Sequence, residues 1–202
     1  MNTESWDEMY RGRAQVFSGE PNGVLVAEAA GLAPGEALDV GCGEGADAVW
    51  LARRGWRVTA VDVAETALRR GAAAAHGSDV AGRVAWTRAD LSTTALPAGV
   101  FDLVSVQYFP LRHQPEHEAL NRLLASVAPG GTLLVAGHDP GDEGVDYADY
   151  YRPDEIAGLL DGWTILVHES RPRTRPGPEG THHTRDVVLR AVNSAGEPAT
   201  AP

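Results

Sequence analysis

From Glu36 onward, short β-rich runs alternate with helix-like segments, a pattern satisfied by a largely parallel sheet whose strands are joined through helical crossovers. The β-rich runs fall at 37–40, 57–62, 84–88, 101–107, 132–137, 163–169 and 187–192. Between them, 46–54, 64–75, 115–128 and 153–160 carry helix formers with apolar residues at helical spacing. The link ESRPRTRPGPEGTHHTRD is too rich in Pro, Gly and Arg to hold a helix, so the last two runs should form an antiparallel hairpin. Ahead of Glu36, VLVAEAAGL reads as a helix ending near Gly31, and the final NSAGEPATAP reads as a disordered tail. At 202 residues with 43% hydrophobic content, one domain over 1–192 is expected.

Composition removes several chemistries. All 17 basic residues are arginine, which leaves no lysine for a Schiff base, for pyridoxal phosphate or for a P-loop. A formal charge of −11 opposes docking on a polyanion, so a small-molecule substrate is expected and nucleic acid is not. The single Cys42 and seven scattered histidines give no zinc pattern, so no metal is expected. No run approaches the roughly 20 apolar residues of a membrane span, and MNTESWDEMY is too acidic to begin a secretory signal. The expectation is a cytoplasmic protein without membrane contact; its oligomeric state is open.

The chemistry gathers in ALDVGCGEGAD, residues 37–47, where the first strand runs into a glycine loop that opens a helix. Such a loop turns backbone N–H groups and the positive end of the helix dipole toward a ligand. Gly41, Gly43 and Ala46 satisfy the dinucleotide fingerprint, with Asp62 about 20 residues on as a ribose acid. Asp39 opposes that reading, because a carboxylate before the loop would face two phosphate charges. A cationic ligand suits it better. S-adenosylmethionine carries an α-ammonium, a sulfonium and a ribose that Asp62 can clamp, and Asp90 in the ADL element can accept the adenine amino group while the backbone of Leu91 meets the ring.

These residues resemble a known family. LDVGCGEGADAVWLARRGWRVTAVD, RADL, FDLVSVQYF and APGGTLLV are similar to the successive motifs of class I S-adenosylmethionine-dependent methyltransferases. Within that family WDEMYRGRAQVFSGEPN, DGWTIL and HHTRDVVLRA resemble small bacterial enzymes of the tellurite-resistance and thiopurine methyltransferase type. The resemblance implies an α/β, Rossmann-like doubly wound sheet of seven strands, order 3-2-1-4-5-7-6, mostly parallel with an antiparallel last strand. It implies cofactor contacts from Asp39, Gly41, Cys42, Gly43, Asp62, Val63, Asp90, Leu91 and Gln107. It also implies that residues 1–35, with Trp6, Tyr10 and Phe17, cover cofactor and substrate. Tyr108 would face the incoming nucleophile, and for a phenol or amine it or His113 could act as base. S-adenosylhomocysteine would be the product. An NAD-dependent oxidoreductase and a non-catalytic sensor or scaffold stay open as alternatives. The arginines at 171, 173 and 175 read as a polar hairpin rather than a site.

Overall fold

Two strands at the centre of the chain's architecture, β1 (Glu36–Val40) and β4 (Phe101–Gln107), are buried along nearly their whole length, because helices cover both faces of the sheet they share. The computed structural model describes residues 3–76, 79–80, 82–139, 148–174 and 183–194. Around β1 and β4 stand β2 (Arg57–Asp62), β3 (Val84–Arg88), β5 (Val127–His138), β6 (Trp163–Pro172) and β7 (Arg185–Asn193). They form one seven-stranded sheet in the order β3-β2-β1-β4-β5-β7-β6. The first five strands pair in parallel, and β7 runs antiparallel to both β5 and β6.

Alternation along each strand sorts the core into two layers. Leu38, Val40, Val104, Val106, Leu133 and Val135 face one side, where they meet Leu120 and Leu123 of α5 (Glu118–Ser126) and Ile156 of α6 (Pro153–Gly158). Ala37, Val58, Ala60, Leu103 and Leu134 face the other, against Leu25 of α2 (Gly23–Ala29), Leu51 of α3 (Ala46–Arg53) and Leu68 of α4 (Glu65–Ala75). A further helix, α1 (Thr3–Arg11), lies outside this sandwich and packs on α4.

The local differences from the sequence reading have physical causes. The segment expected as one helix over 115–128 opens with a 3-10 turn, Pro115–His117, in which Glu116 and His117 take left-handed φ of 52° and 55°. Its other end is cut at Ser126, because Val127 already pairs with Phe101; the ladder then slips before Leu103 meets Thr132, placing the APGG turn in a bulge. Residues 89–100 carry no helix, so the chain returns from the edge strand β3 to the central β4 through turns alone. The tip of the last hairpin, with Arg175 and His182, lies outside the described residues, as do positions 195–202 of the tail read as disordered. Among the described residues no helix is long and apolar enough to cross a membrane.

Candidate functional site

The carboxyl ends of β1, β2 and β4 converge on the glycine loop. Gly41 and Gly45 hold φ of 66° and 84°, a region L side chains avoid. Space is closed to them as well: a Cβ on Gly41 would lie 2.4 Å from the Phe109 ring, and one on Gly45 2.3 Å from Trp86. The loop is laced to β2, since Cys42 N–H donates to the Val61 carbonyl at 3.0 Å and Gly43 N–H to Asp62 Oδ2 at 2.9 Å. Asp62 Oδ1 accepts from Ala64 N–H at 2.8 Å. The acid expected to hold a ribose thus also pins the loop, its two oxygens taking backbone donors from Gly43, Val63 and Ala64.

Asp39 is 2% exposed and accepts a hydrogen bond from Ala48 N–H at the start of α3, while its Oδ2 has no partner. Burial, then the neighbouring carboxylates Asp47 and Asp62, push its pKa well above the usual carboxylate range. Asp47 is occupied, accepting from Asn22 N–H and Nδ2 at 2.7 and 2.8 Å. One strand over, Ser105 is the register partner of Asp39, and Gln107 follows two residues later on the same face. Gln107 Nε2 donates to Ser105 Oγ at 3.1 Å; its buried Oε1 has no partner. Two orphaned acceptors therefore sit at the ends of the two central strands, a costly arrangement that a cationic donor would relieve. Burial, Asp39 and Asp62 also push the Cys42 thiol up, so it stays protonated.

Beside this loop opens a cavity of about 790 Å³. Of the residues singled out from sequence, Trp6, Val63, Asp90, Leu91 and Tyr108 line it. Asp90 Oδ1 accepts from Ser92 N–H and Oγ at 2.9 and 2.6 Å, leaving Oδ2 outside those bonds. Tyr10 is buried against Phe17, ring centroids 6.2 Å apart edge to face, with its hydroxyl over Gly43. These two rings cap the loop, whereas Trp6 faces the cavity.

Both residues read as bases are otherwise engaged. Tyr108, with φ of 53°, donates its hydroxyl to Asp186 at 2.8 Å, beneath an Arg173 guanidinium 4.9 Å above its ring. Burial and Asp186 push the phenol's pKa up, away from base chemistry. His113 does not line the cavity. Its ring stands edge-on to Tyr151 at 4.3 Å, with Nδ1 3.2 Å from the Ala148 carbonyl and Nε2 3.6 Å from Glu155 Oε2. His138, at the end of β5, does line the cavity, stacked on Tyr108 at 4.8 Å and on His183 at 3.8 Å. The sequence reading missed Phe109, Arg112, Tyr150, Tyr151 and Arg152 on the cavity wall. Arg112 and Tyr150 meet across an isolated β-bridge spanning 38 residues of chain, and no short motif announces such a contact. Among the described residues no group of three His, Cys, Asp or Glu side chains could hold a metal.

Comparison with known proteins shows the family. Residues 37–131 match the family described as "Methyltransferase domain". A ubiquinone biosynthesis O-methyltransferase of Marinobacter nauticus is 33% identical over 175 residues, 85% of this chain and 70% of that protein. The chain belongs to the S-adenosylmethionine-dependent methyltransferases of class I. An uncharacterised methyltransferase of Mycobacterium tuberculosis is 44% identical over 99 residues, 48% of this chain. The chain matches about half the length, 48%, of that relative and of its Mycobacterium bovis counterpart. Among solved structures, the N-methyltransferase NodS from Bradyrhizobium japonicum in complex with S-adenosyl-L-homocysteine shares the fold. It has a TM-score of 0.71 at 19% identity, over 96% of this chain and 99% of that one. TehB from Haemophilus influenzae does so with a TM-score of 0.68 at 14% identity, over 95% and 67%.

Proposed function

We propose that this methyltransferase-family chain transfers a methyl group from S-adenosylmethionine to a small-molecule nucleophile by in-line displacement. The observation that carries the reading is the pair of orphaned buried acceptors, Asp39 Oδ2 and Gln107 Oε1, flanking the glycine loop. An α-ammonium brings three N–H donors and a positive charge, and it suits that pair. A pyrophosphate would meet the Asp39 carboxylate instead.

Asp62 and Asp90 would hold the ribose and the adenine amino group, and Gly41 to Gly43 would let the ligand approach the backbone. When bound, the cofactor supplies a carbon already activated by the sulfonium. The chain's own task is then to align the nucleophile and exclude water, which Trp6 from α1 and the aromatic cavity wall accomplish. Of residues 1–35, the part ahead of α2 acts as the covering segment, held by Asp7 on Thr66 N–H and by Glu44, which accepts from Val16 and Phe17 N–H at 3.1 Å; α2 itself packs in the core.

The O-methyltransferase name of the Marinobacter relative supports an oxygen nucleophile; a metalloid acceptor of the tellurite-resistance type rests on the end segments alone. A hydroxyl holds its proton, and His138 is the imidazole that lines the cavity to receive it. The direct test incubates the protein with methyl-labelled S-adenosylmethionine and a panel of hydroxylated aromatic metabolites. Label in a small product supports the assignment; cofactor binding with no labelled product across the panel favours a sensor or scaffold.

A further inference from the structure

Resting on the methyltransferase reading, we infer that the acceptor is a flat apolar molecule bearing an anionic group, held at the cavity wall by Arg112 and Arg152. The chain carries a formal charge of −11, yet among the described residues the cavity wall inverts that balance: its lining contains two guanidinium groups, Arg112 and Arg152, against one carboxylate, Asp90, which is tied to Ser92.

The inversion is not used up by ion pairs. Arginines that brace the fold are neutralised, Arg70 by Glu44 at 2.9 Å and Arg171 and Arg190 by Glu28 at 2.8 and 3.2 Å. Arg112 has no carboxylate partner among the described residues; it lies over the Tyr150 ring at 5.2 Å, with Nη2 3.2 Å from the Tyr150 hydroxyl. Stacking on a ring orients a guanidinium plane and leaves most of its donor fork unspent. Arg152 stands two residues beyond Tyr150, the bridge partner of Arg112. Among the described residues its one carboxylate neighbour, Glu155, is 3.8 Å from Nε and is shared with the Arg152 backbone N–H and with His113.

On the same wall Phe109, Leu111, Tyr151 and Ile156 supply an apolar surface that includes two aromatic rings. A guanidinium fork reads a carboxylate or a phosphate bidentately, and an aromatic wall favours a flat body. The two together select an aromatic acid over its neutral or cationic analogues.

The test uses protein saturated with S-adenosylhomocysteine, saturation being verified first by calorimetry so that a failure of the cofactor reading shows separately. Benzoate, phenyl phosphate, benzamide and benzylammonium are then titrated by ligand-observed NMR. At least one anion should bind about fivefold or more tighter than benzamide and benzylammonium, an advantage that weakens as salt rises to about 0.3 M. Arg112→Gln should remove most of it and Arg152→Gln part of it, with cofactor saturation retained. Benzamide or benzylammonium binding as tightly as both anions, or an anion preference untouched by Arg112→Gln, overturns the inference.

Discussion

Asp39 is the residue at which stability and ligand binding pull apart. Its carboxyl is raised by burial and by Asp47 and Asp62, so the folded protein binds a proton there more tightly than the unfolded chain does. The Asp39 contribution to stability is then most favourable at low pH and falls as pH rises from the ordinary carboxylate range through the raised value. Asp39→Asn should therefore raise the melting temperature of the ligand-free protein at pH 7 by about 2–4 °C, a gain that fades as the pH approaches about 4. The same change should weaken S-adenosylhomocysteine roughly 10- to 100-fold, since a charge-assisted bond is lost. Melting curves across pH, with and without ligand, check both halves. His138→Gln should lower kcat on a hydroxyl acceptor about 100-fold, which a stopped assay reads. Asp39, Asp62 and Asp90 were legible in the sequence because each stands at the end of a strand in a short-range pattern. His138 and Tyr108 were not resolved that way: the partner that engages the Tyr108 hydroxyl, Asp186, is 78 residues distant.

Elements place those residues, and two joints decide how firmly. The first is the turn from β1 into α3, where Gly45 combines a positive φ with contact against Trp86, which also packs on Gly71 of α4. Gly45→Ala should cost about 2–4 kcal/mol, from backbone strain and overpacking together, read as a lower urea midpoint. The second joins α1 to α4. Asp7 accepts from Thr66 N–H at 2.8 Å, supplying from another helix the cap that Ala64 has no side chain to provide, and Arg70 ties the Tyr10 and Arg13 carbonyls to the same helix. That bond to Thr66, chiefly, lowers the Asp7 pKa. The contribution is present above the ordinary carboxylate range and lost as pH falls through the lowered value. Asp7→Ala should cost about 1 kcal/mol and release amide protection in α1 before the sheet, as hydrogen exchange would show. The crossover helices were legible from periodicity. The cap was not, because it joins residues 59 positions apart whose chemistry alone does not name a partner.

On the scale of the molecule, the order β3-β2-β1-β4-β5-β7-β6 puts the glycine loop and the ends of β4 and β5 side by side, so one cavity can be walled by residues from 3 to 156. The alternation of runs and the Pro- and Arg-rich link before β7 carried the sheet and its reversed last strand. The acceptor wall, assembled by the Arg112–Tyr150 bridge, carried no such local mark. Whether this fold binds S-adenosylmethionine chemistry rather than a dinucleotide is read most directly from ligand-dependent melting. S-adenosylhomocysteine at 100 times its Kd should add about 2.7 kcal/mol of stability, a rise of roughly 5–11 °C for a chain of this size, with NADH giving none. A rise with NADH and none with S-adenosylhomocysteine would contradict the account.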